Sequence, residues 1–420
     1  MWISVLRRSL VVALVFVSTA PAPPASAEVP EPGNDPFYVA PAGIEQLAPG
    51  TVLRSREVDV SLGQVPLSGP RFRAYQLLYR TGGVDDRPIA NVTTVLVPDG
   101  PPPPGGRGLV SLQNAENSLD PNCAASYQLR VGQQAPGGQT NRNLIAEMTA
   151  LLPELAVGRV LVVPDVLGPD KGYIVRLVNA HMVLDSIRAA ESFEPAGLAG
   201  RDTPVALFGY SGGGFESAAA NELQSTYAPE LDIVAVAAGG VPVGSLANFR
   251  FIDGTLATGT LMAVAQAINR AYPEMDLLSS LNDEGWAFAD RIKTGCSSAI
   301  FAAPLARFDD WTTVPNFFGR ANVRRVLEEN ALGQDTPRAP TFYYNAVFDE
   351  IIWIAPLDAL VAEYCADGAD LVYVRDPAGV EHIQGAANFI PMALDYIEAR
   401  FAGAPVATTC GLPGNAIPAP

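Results

Sequence analysis

Histidine, lysine and cysteine are scarce in this 420-residue sequence, and their scarcity narrows what the chain can be. There are two histidines and four cysteines. No two of the cysteines are spaced like a zinc-binding pair, so we expect neither a metal site nor a cofactor. Positive charge is also in short supply, with 27 basic residues against 44 acidic ones and a formal net charge of −17. Such a charge repels nucleic acid and anionic membranes, so neutral small molecules are the substrates that remain open.

The first 27 residues have the three-part pattern of a secretory signal peptide. Arg7 and Arg8 precede an apolar run over residues 10–17, and the segment ends in Ala25-Ser26-Ala27, a small-x-small cleavage signal. A membrane anchor is disfavoured because a spanning helix needs about 20 apolar residues. We therefore expect no integral membrane span and a secreted protein cut after Ala27, with attachment to the cell envelope as an alternative.

Apolar runs bounded by turn residues alternate with helix-like stretches along most of the chain. This pattern predicts a mostly parallel sheet with helices on both faces. The predicted strands cover residues 51–53, 71–79, 92–98, 108–112, 159–164, 204–208, 232–237, 339–345 and 369–375, and the clearest helices cover 140–156 and 173–190.

The distribution of prolines, strand signals and helical patterning also predicts how the chain is divided into regions. Residues 28–50 are rich in proline and aperiodic, which predicts an extended arm on the surface. Residues 243–338 have helical patterning and few strand signals, and they are far longer than an ordinary crossover. We expect a helical cap there, inserted between a first part of the core at 51–242 and a second part at 339–420. The alternative is a decorated loop region.

The pentapeptide Gly209-Tyr210-Ser211-Gly212-Gly213 follows a predicted strand and precedes an alanine-rich helical stretch. A strand, a tight turn and a helix form the nucleophile elbow of an α/β-hydrolase, which is the fold class we expect. Ser211 would be the nucleophile, and the backbone N–H of Gly212 would be one oxyanion-hole donor. A phosphate-binding glycine turn is the alternative, but the segment lacks the lysine and the spacing that such turns use.

The general base follows by elimination, because the chain order in α/β-hydrolases is serine, acid, histidine. His181 precedes the serine and is expected to be a packing residue in a helix, so His382, in a predicted loop after the last strand, is the expected base. Asp349 lies just past the strand at 339–345 and is the preferred acid, with Glu350 as its neighbouring competitor. Glu381 is expected to be a solvated loop charge.

The second oxyanion donor should come from the loop that follows the strand at 108–112. That loop contains residues 113–118, and the choice within it stays open. The cysteines are even in number behind a signal peptide, which favours two disulfides in one of three pairings. We favour Cys365–Cys410, which closes a loop around the C-terminal segment, and Cys123–Cys296, which tethers the predicted cap to the core.

With these pieces placed, the chain resembles the secretory lipase family. The matching segments are Cys123-Ala124-Ala125-Ser126-Tyr127, Pro164-Asp165 with Gly168, Leu184-Asp185, Ile187-Arg188-Ala189-Ala190, the serine pentapeptide, Asp349-Glu350-Ile351-Ile352, Glu381-His382, and Arg400 to Pro405 before Cys410. The resemblance implies a triad of Ser211, Asp349 and His382, the same disulfide pairing, and a lid over an acyl-binding tunnel. It also implies that position 117 supplies the second oxyanion donor; the family has an acidic residue there, where this chain has Asn117.

The expected function is that of a secreted serine hydrolase acting on lipid or other carboxylic esters, in possible contact with a lipid interface. An acyltransferase would use the same serine with an alcohol in place of water, so it remains an alternative. A non-catalytic surface protein on a hydrolase scaffold is the alternative from a different class, because a fold alone does not prove a function.

Overall fold

In the computed structural model, which describes residues 29–62, 71–132, 140–302 and 305–419, ten strands form one sheet. The predicted signal peptide lies outside the described residues. The strands are β1 Val52–Val58, β2 Phe72–Gly82, β3 Pro88–Pro98, β4 Leu109–Gln113, β5 Val160–Pro164, β6 Pro204–Tyr210, β7 Asp232–Gly239, β8 Thr341–Ala346, β9 Leu371–Asp376 and β10 Ile417–Pro418.

The spatial order of the strands is β1-β2-β3-β5-β4-β6-β7-β8-β9-β10. The pairs from β1 to β5 in this order are antiparallel, and the remaining pairs are parallel. The parallel strands all point their carboxyl ends to one edge of the sheet. In sheets of this kind, loops at that edge form the binding site.

Helices cover both faces of the sheet, as the alternating pattern predicted. One face packs on α3, α4 and α9, and the other on α1, α2 and α10. The helices are α1 Ala125–Val131, α2 Arg142–Ala156, α3 Arg176–Ser192, α4 Gly212–Tyr227, α5 Leu246–Ile252, α6 Gly259–Ala271, α7 Asp283–Arg291, α8 Ala321–Asn330, α9 Ile354–Ala366 and α10 His382–Phe401.

The central strands are apolar along their whole length because both of their faces are buried. In β5, Val160 and Val162 pack into one hydrophobic cluster, while Leu161 and Val163 pack into the other. Successive side chains of a strand point to opposite faces, so a strand between two helical layers needs an apolar residue at every position.

Residues 243–338 contain α5 to α8 together with several 3-10 turns. Stacked and edge-on aromatic rings hold this region together, among them Phe288 on Trp311 at 4.4 Å and Phe308 on Phe318 at 4.6 Å between ring centroids. Aromatic side chains bury large apolar areas, and these rings extend the same hydrophobic cluster that packs on one face of the sheet.

Both favoured disulfides are present. Cys123 is bonded to Cys296, which joins the start of α1 to the inserted helical region. Cys365 is bonded to Cys410, which fixes the C-terminal segment against the end of α9. Beyond Cys410 the chain adds β10 in parallel to β9, a pairing that the sequence did not predict.

The segment before β1 differs from the extended arm that we expected. It contains three short 3-10 turns, at Pro32–Asn34, Pro36–Tyr38 and Ile44–Gln46. The first two begin at a proline, whose fixed φ suits the first position of a helical turn. Among the helices of the described residues, none has both the length and the hydropathy needed to cross a membrane.

Candidate active site

Ser211 occupies the sharp turn between β6 and α4. Its backbone is left-handed, with φ 57° and ψ −122°, a strained conformation for a residue with a side chain. The turn tolerates no Cβ on either side, since one at Gly209 would lie 2.1 Å from the carbonyl oxygen of Gly213. A Cβ at Gly213 would lie 1.8 Å from the carbonyl oxygen of Gln113. Gly209 and Gly213 are therefore required by close backbone contact, whereas a Cβ at Gly212 would meet only the Cα of Ala115 at 4.0 Å.

A chain of two hydrogen bonds connects Ser211 to His382 and Asp349. The serine Oγ lies 2.9 Å from His382 Nε2, and His382 Nδ1 lies 2.7 Å from Asp349 Oδ2. The imidazole and the carboxylate are both buried, with 4 % of each residue exposed. The second carboxylate oxygen of Asp349 accepts the backbone N–H groups of Ile351 and Ile352 at 2.9 and 2.7 Å, so the aspartate has little freedom to rotate.

The two neighbouring acids contact the same histidine in different ways. Asp349 holds the ring, whereas Glu350 Oε2 accepts the backbone N–H of His382 at 2.9 Å. We expected His382 to lie in a loop, but it is the first residue of α10. Glu381 is exposed but is not merely solvated, because its carboxylate caps α10 by accepting the N–H groups of Ile383 and Gln384. These caps fix the backbone from which the imidazole projects.

Tyr210, the variable residue of the pentapeptide, contributes a contact that the sequence did not suggest. Its hydroxyl donates to the carbonyl of His382 at 2.8 Å, and the two rings lie 5.1 Å apart. The other histidine, His181, lies on α3 against the ring of Tyr227. Burial lowers the pKa of His181, in keeping with its expected role as a packing residue.

The loop after β4, residues 114–118, passes directly beside the serine turn; we call it the oxyanion loop. Ala115 and Asn117 line the same cavity as Ser211 and Gly212, so both expected donor positions lie at the serine. The amide oxygen of Asn117 accepts a hydrogen bond from the hydroxyl of Tyr173 at 2.9 Å. Asn117 and Gly212 thus line one cavity with Ser211, and their role as oxyanion donors stays a prediction.

A cavity of about 440 Å³ opens above Ser211. Its walls are mostly apolar and come from both the inserted helices and the core, including Phe249, Ile252, Val264, Ile351, Ile352 and Ile390. A larger cleft of about 590 Å³ lies between the β2–β3 hairpin and the end of α6, and its lining includes none of the three hydrogen-bonded residues of the serine site.

Three glutamates are buried around the oxyanion loop, and the sequence did not single them out. Burial raises the pKa of Glu147 on α2 to about 8, with the Ala115 N–H opposing the rise. Burial also raises the pKa of Glu216 on α4, and the charges of Glu116 and Glu147 add to that rise. Burial raises the pKa of Glu116 as well, against the lowering effect of Lys171 at 2.6 Å. In the sequence, Glu147 and Glu216 each lie among mostly apolar or small residues of a helical stretch, whereas Glu116 lies in a polar loop with no such signal.

The strand order, the strained serine before α4 and the serine–histidine–aspartate hydrogen bonds together define an α/β-hydrolase. The chain belongs to the secretory lipase family, whose sequence model matches residues 134–409. The fold and the family expected from the motifs are thus both confirmed, and membership places the chain among lipases and esterases.

Individual relatives are similar to this protein over almost the whole chain. A secreted triacylglycerol lipase of Malassezia furfur is 30 % identical over 92 % of this chain and 83 % of its own. The crystal structure of lipase A from Candida antarctica superposes with a TM-score of 0.84 at 28 % identity, covering 93 % of this chain and 90 % of that one. A Mycobacterium tuberculosis protein named a probable inactive lipase is 36 % identical over 89 % of this chain and 83 % of its own.

Proposed function

We propose that this chain is a secreted carboxylic ester hydrolase that cleaves fatty-acyl or other lipid esters through an acyl-enzyme on Ser211. The observation that carries the proposal is the unbroken hydrogen-bond chain from Ser211 Oγ through His382 to Asp349, set in a strained turn at the floor of an apolar cavity. Backbone strain at a single serine persists only where the surrounding structure holds it, and such strain clusters at active sites.

In the proposed reaction, Ser211 Oγ attacks the ester carbonyl carbon while His382 Nε2 takes the hydroxyl proton. Asp349 keeps the Nδ1–H tautomer in place and stabilises the imidazolium that forms. The negative oxygen accepts hydrogen bonds from the N–H of Gly212 and the amide of Asn117. The C–O bond to the alcohol then breaks, and His382 returns the proton to the departing alkoxide. Water repeats the sequence and releases the acid.

The cavity supports an acyl chain as the group that is bound. Its walls are apolar, and residues 243–338, the proposed cap, supply part of them. Apolar area removed from water stabilises binding by about 25 cal/mol per Å². Longer acyl chains should therefore bind more tightly until the cavity is filled.

Exposed apolar side chains near the cavity support contact with a lipid interface. Phe251 from α5 stacks on Trp353 with ring centroids 6.0 Å apart, and Phe348 and Ile383 are each 63 % exposed. The negative charge of the chain favours a neutral or zwitterionic surface over an anionic one. Replacing both Phe251 and Trp353 by serine should abolish binding to phosphatidylcholine vesicles and spare hydrolysis of a soluble short-chain ester. Unchanged vesicle binding would refute the contact.

We also propose that the chain is secreted after removal of residues 1–27. Two disulfides inside the described chain support an oxidising compartment, since cytosolic proteins rarely keep them. The N-terminal sequence of the protein recovered from culture medium should begin after Ala27. Recovery of the uncut chain in the membrane fraction would contradict this and support an envelope-attached form.

The proposed activity is tested with chromogenic esters of increasing acyl length, comparing the wild type with Ser211→Ala. We expect activity from the wild type and a loss of at least about 1000-fold in the variant. Equal rates for the two proteins on every ester would refute the proposal. Adding a short alcohol and analysing the products separates hydrolysis from acyl transfer, because only the transferase would form new esters in preference to acid.

A non-catalytic role is the second candidate, and the name of the mycobacterial relative is the observation that favours it. The hydrogen-bonded serine, histidine and aspartate of this chain argue against it, because a binding protein has no need of them. Failure of the folded protein to react with a fluorophosphonate probe would support the non-catalytic role.

A further inference from the structure

The loop between β5 and α3, residues 165–175, holds two residues in a backbone conformation that is rare for side chains other than glycine. Lys171 has φ 50° and Ile174 has φ 55°. Ile174 is branched at Cβ, for which a positive φ is a genuine outlier. Ile174 also lines the cavity above Ser211. Strained residues of this kind persist only where other contacts hold them in place.

The contacts that hold this loop run to the oxyanion loop. Lys171 Nζ lies 2.6 Å from Glu116 Oε1, and both side chains are buried. Two residues further on, the Tyr173 hydroxyl donates to Asn117 Oδ1 at 2.9 Å. The strained loop therefore binds two consecutive residues of the oxyanion loop. Lys171 forms an ion pair with Glu116, and Tyr173 forms a hydrogen bond with Asn117.

Hydrogen bonds from α3 and α6 hold the strained loop in place. Asn179 on α3 donates its side-chain amide to the carbonyls of Val166 and Gly172 at 3.0 and 2.9 Å. Arg270 on α6 donates to the carbonyl of Lys171 at 3.2 Å. The loop is thus tied to α3 and to α6, and it can act as a fixed support rather than as a mobile partner.

The oxyanion loop has an internal backbone hydrogen bond, from the N–H of Glu116 to the carbonyl of Asn114 at 2.7 Å, but the Asn114 side chain adds nothing to this support. Within the described residues, the side-chain nitrogen and oxygen of Asn114 are both buried without a hydrogen-bond partner, so that side chain does not brace the loop. A carboxamide carries its oxygen and its NH₂ group on the same carbon atom, with both groups in one plane. Fixing the oxygen of Asn117 therefore fixes the direction of its NH₂ group. Burial raises the pKa of Tyr173, so its hydroxyl keeps the proton that it donates.

We propose that Tyr173 is a positioning residue for catalysis: its hydroxyl holds the amide oxygen of Asn117 so that the amide NH₂ group points at the developing oxyanion. Lys171, through Glu116, holds the backbone of the same loop. This inference rests on the proposed ester hydrolysis at Ser211. It predicts that the loss of the Tyr173 hydroxyl, whose hydrogen bond goes to Asn117, slows the chemical step and leaves substrate binding almost unchanged.

The experiment is a double-mutant cycle on a soluble chromogenic ester, using Tyr173→Phe, Asn117→Ala and the double variant. Rates are expressed per site labelled by a fluorophosphonate, so that misfolded molecules do not count. We expect Tyr173→Phe to lower kcat about tenfold at nearly constant KM, and Asn117→Ala to lower it about 100-fold. The double variant should be no slower than Asn117→Ala, because the hydroxyl acts only through the amide.

Tyr373→Phe is the matched control. Tyr373 is a buried tyrosine on β9 whose hydroxyl donates to Asp358 at 2.8 Å, and its variant should keep the wild-type kcat. A wild-type kcat in Tyr173→Phe, an equal loss with and without Asn117, or a rise in KM alone would each overturn the inference while the wild type remains active. A wild type as inactive as Ser211→Ala would instead overturn the proposed function and this inference with it.

Discussion

Glu147 provides a test of how burial around the oxyanion loop affects folding. Its side chain is buried on α2 beside the oxyanion loop, with one carboxylate oxygen unpartnered among the described residues. Burial raises its pKa from 4.5 to about 8. Glu147→Gln keeps the size and the acceptor oxygen of the side chain but cannot ionise, so it isolates the free energy of that ionisation.

The direction in which stability changes with pH depends on whether the folded or the unfolded chain holds the Glu147 proton more tightly. The unfolded chain loses the Glu147 proton near pH 4.5, whereas the folded protein keeps it until about pH 8. Stability from this group is therefore complete below pH 4.5 and falls as the pH rises between these values. Each pKa unit corresponds to about 1.4 kcal/mol, so the wild type should lose about 3 kcal/mol between pH 4.5 and pH 7 through Glu147 alone.

The free energy of unfolding is measured by guanidinium titration of the wild type and Glu147→Gln at both pH values. The advantage of the variant over the wild type should be about 3 kcal/mol larger at pH 7 than at pH 4.5. Glu363→Gln, an exposed change on α9, should give the same difference from the wild type at both values. If Glu147→Gln also gave a constant difference, the carboxyl would not be held protonated by burial.

Three further changes test the serine site and its support. Gly213→Ala would bring a Cβ within 1.8 Å of the Gln113 carbonyl, so we expect kcat to fall about 100-fold or more; a wild-type kcat would contradict the required contact. In Asn117→Asp, the new carboxyl group can donate a hydrogen bond to the oxyanion only when it is protonated, so the kcat of the variant relative to the wild type should rise as the pH is lowered. A ratio independent of pH would exclude Asn117 as a donor. Replacing Cys123 and Cys296 together by serine should cost about 2–5 kcal/mol of stability and speed limited proteolysis within residues 243–338; unchanged digestion would show that the disulfide does not restrain that region.

The core of the fold could be predicted because its strands carry a strong local signal. Residues 160–163 are apolar without interruption, as a strand buried on both faces requires, and β5 forms there. The sequence pattern that predicts secondary structure is weak at the two ends of the chain. β10 is two residues long and includes Pro418, so no periodicity marks it. Two of the three turns before β1 begin at prolines, which also suit an extended chain.

The serine and the histidine could be predicted because few residues compete for their roles. Ser211 lies in a glycine motif between a strand and a helix, and only one histidine follows it. Asp349 and Glu350 are adjacent, so sequence position alone cannot separate them, whereas the distances to the imidazole do. The contact between Tyr173 and Asn117 joins two loops that are distant in the sequence. No local pattern encodes such a contact, because it depends on how β4 and β5 align in the sheet.

The central claim, that Ser211 is a nucleophile activated by His382, is tested most directly by the rate and site of fluorophosphonate labelling. The account predicts one adduct, mapped by mass spectrometry to the peptide containing Ser211, and none in Ser211→Ala. His382→Ala should label at least about 1000-fold more slowly, since the serine would lose its base. A folded wild type that stays unlabelled, an adduct on another residue, or an unchanged rate in His382→Ala would contradict the account.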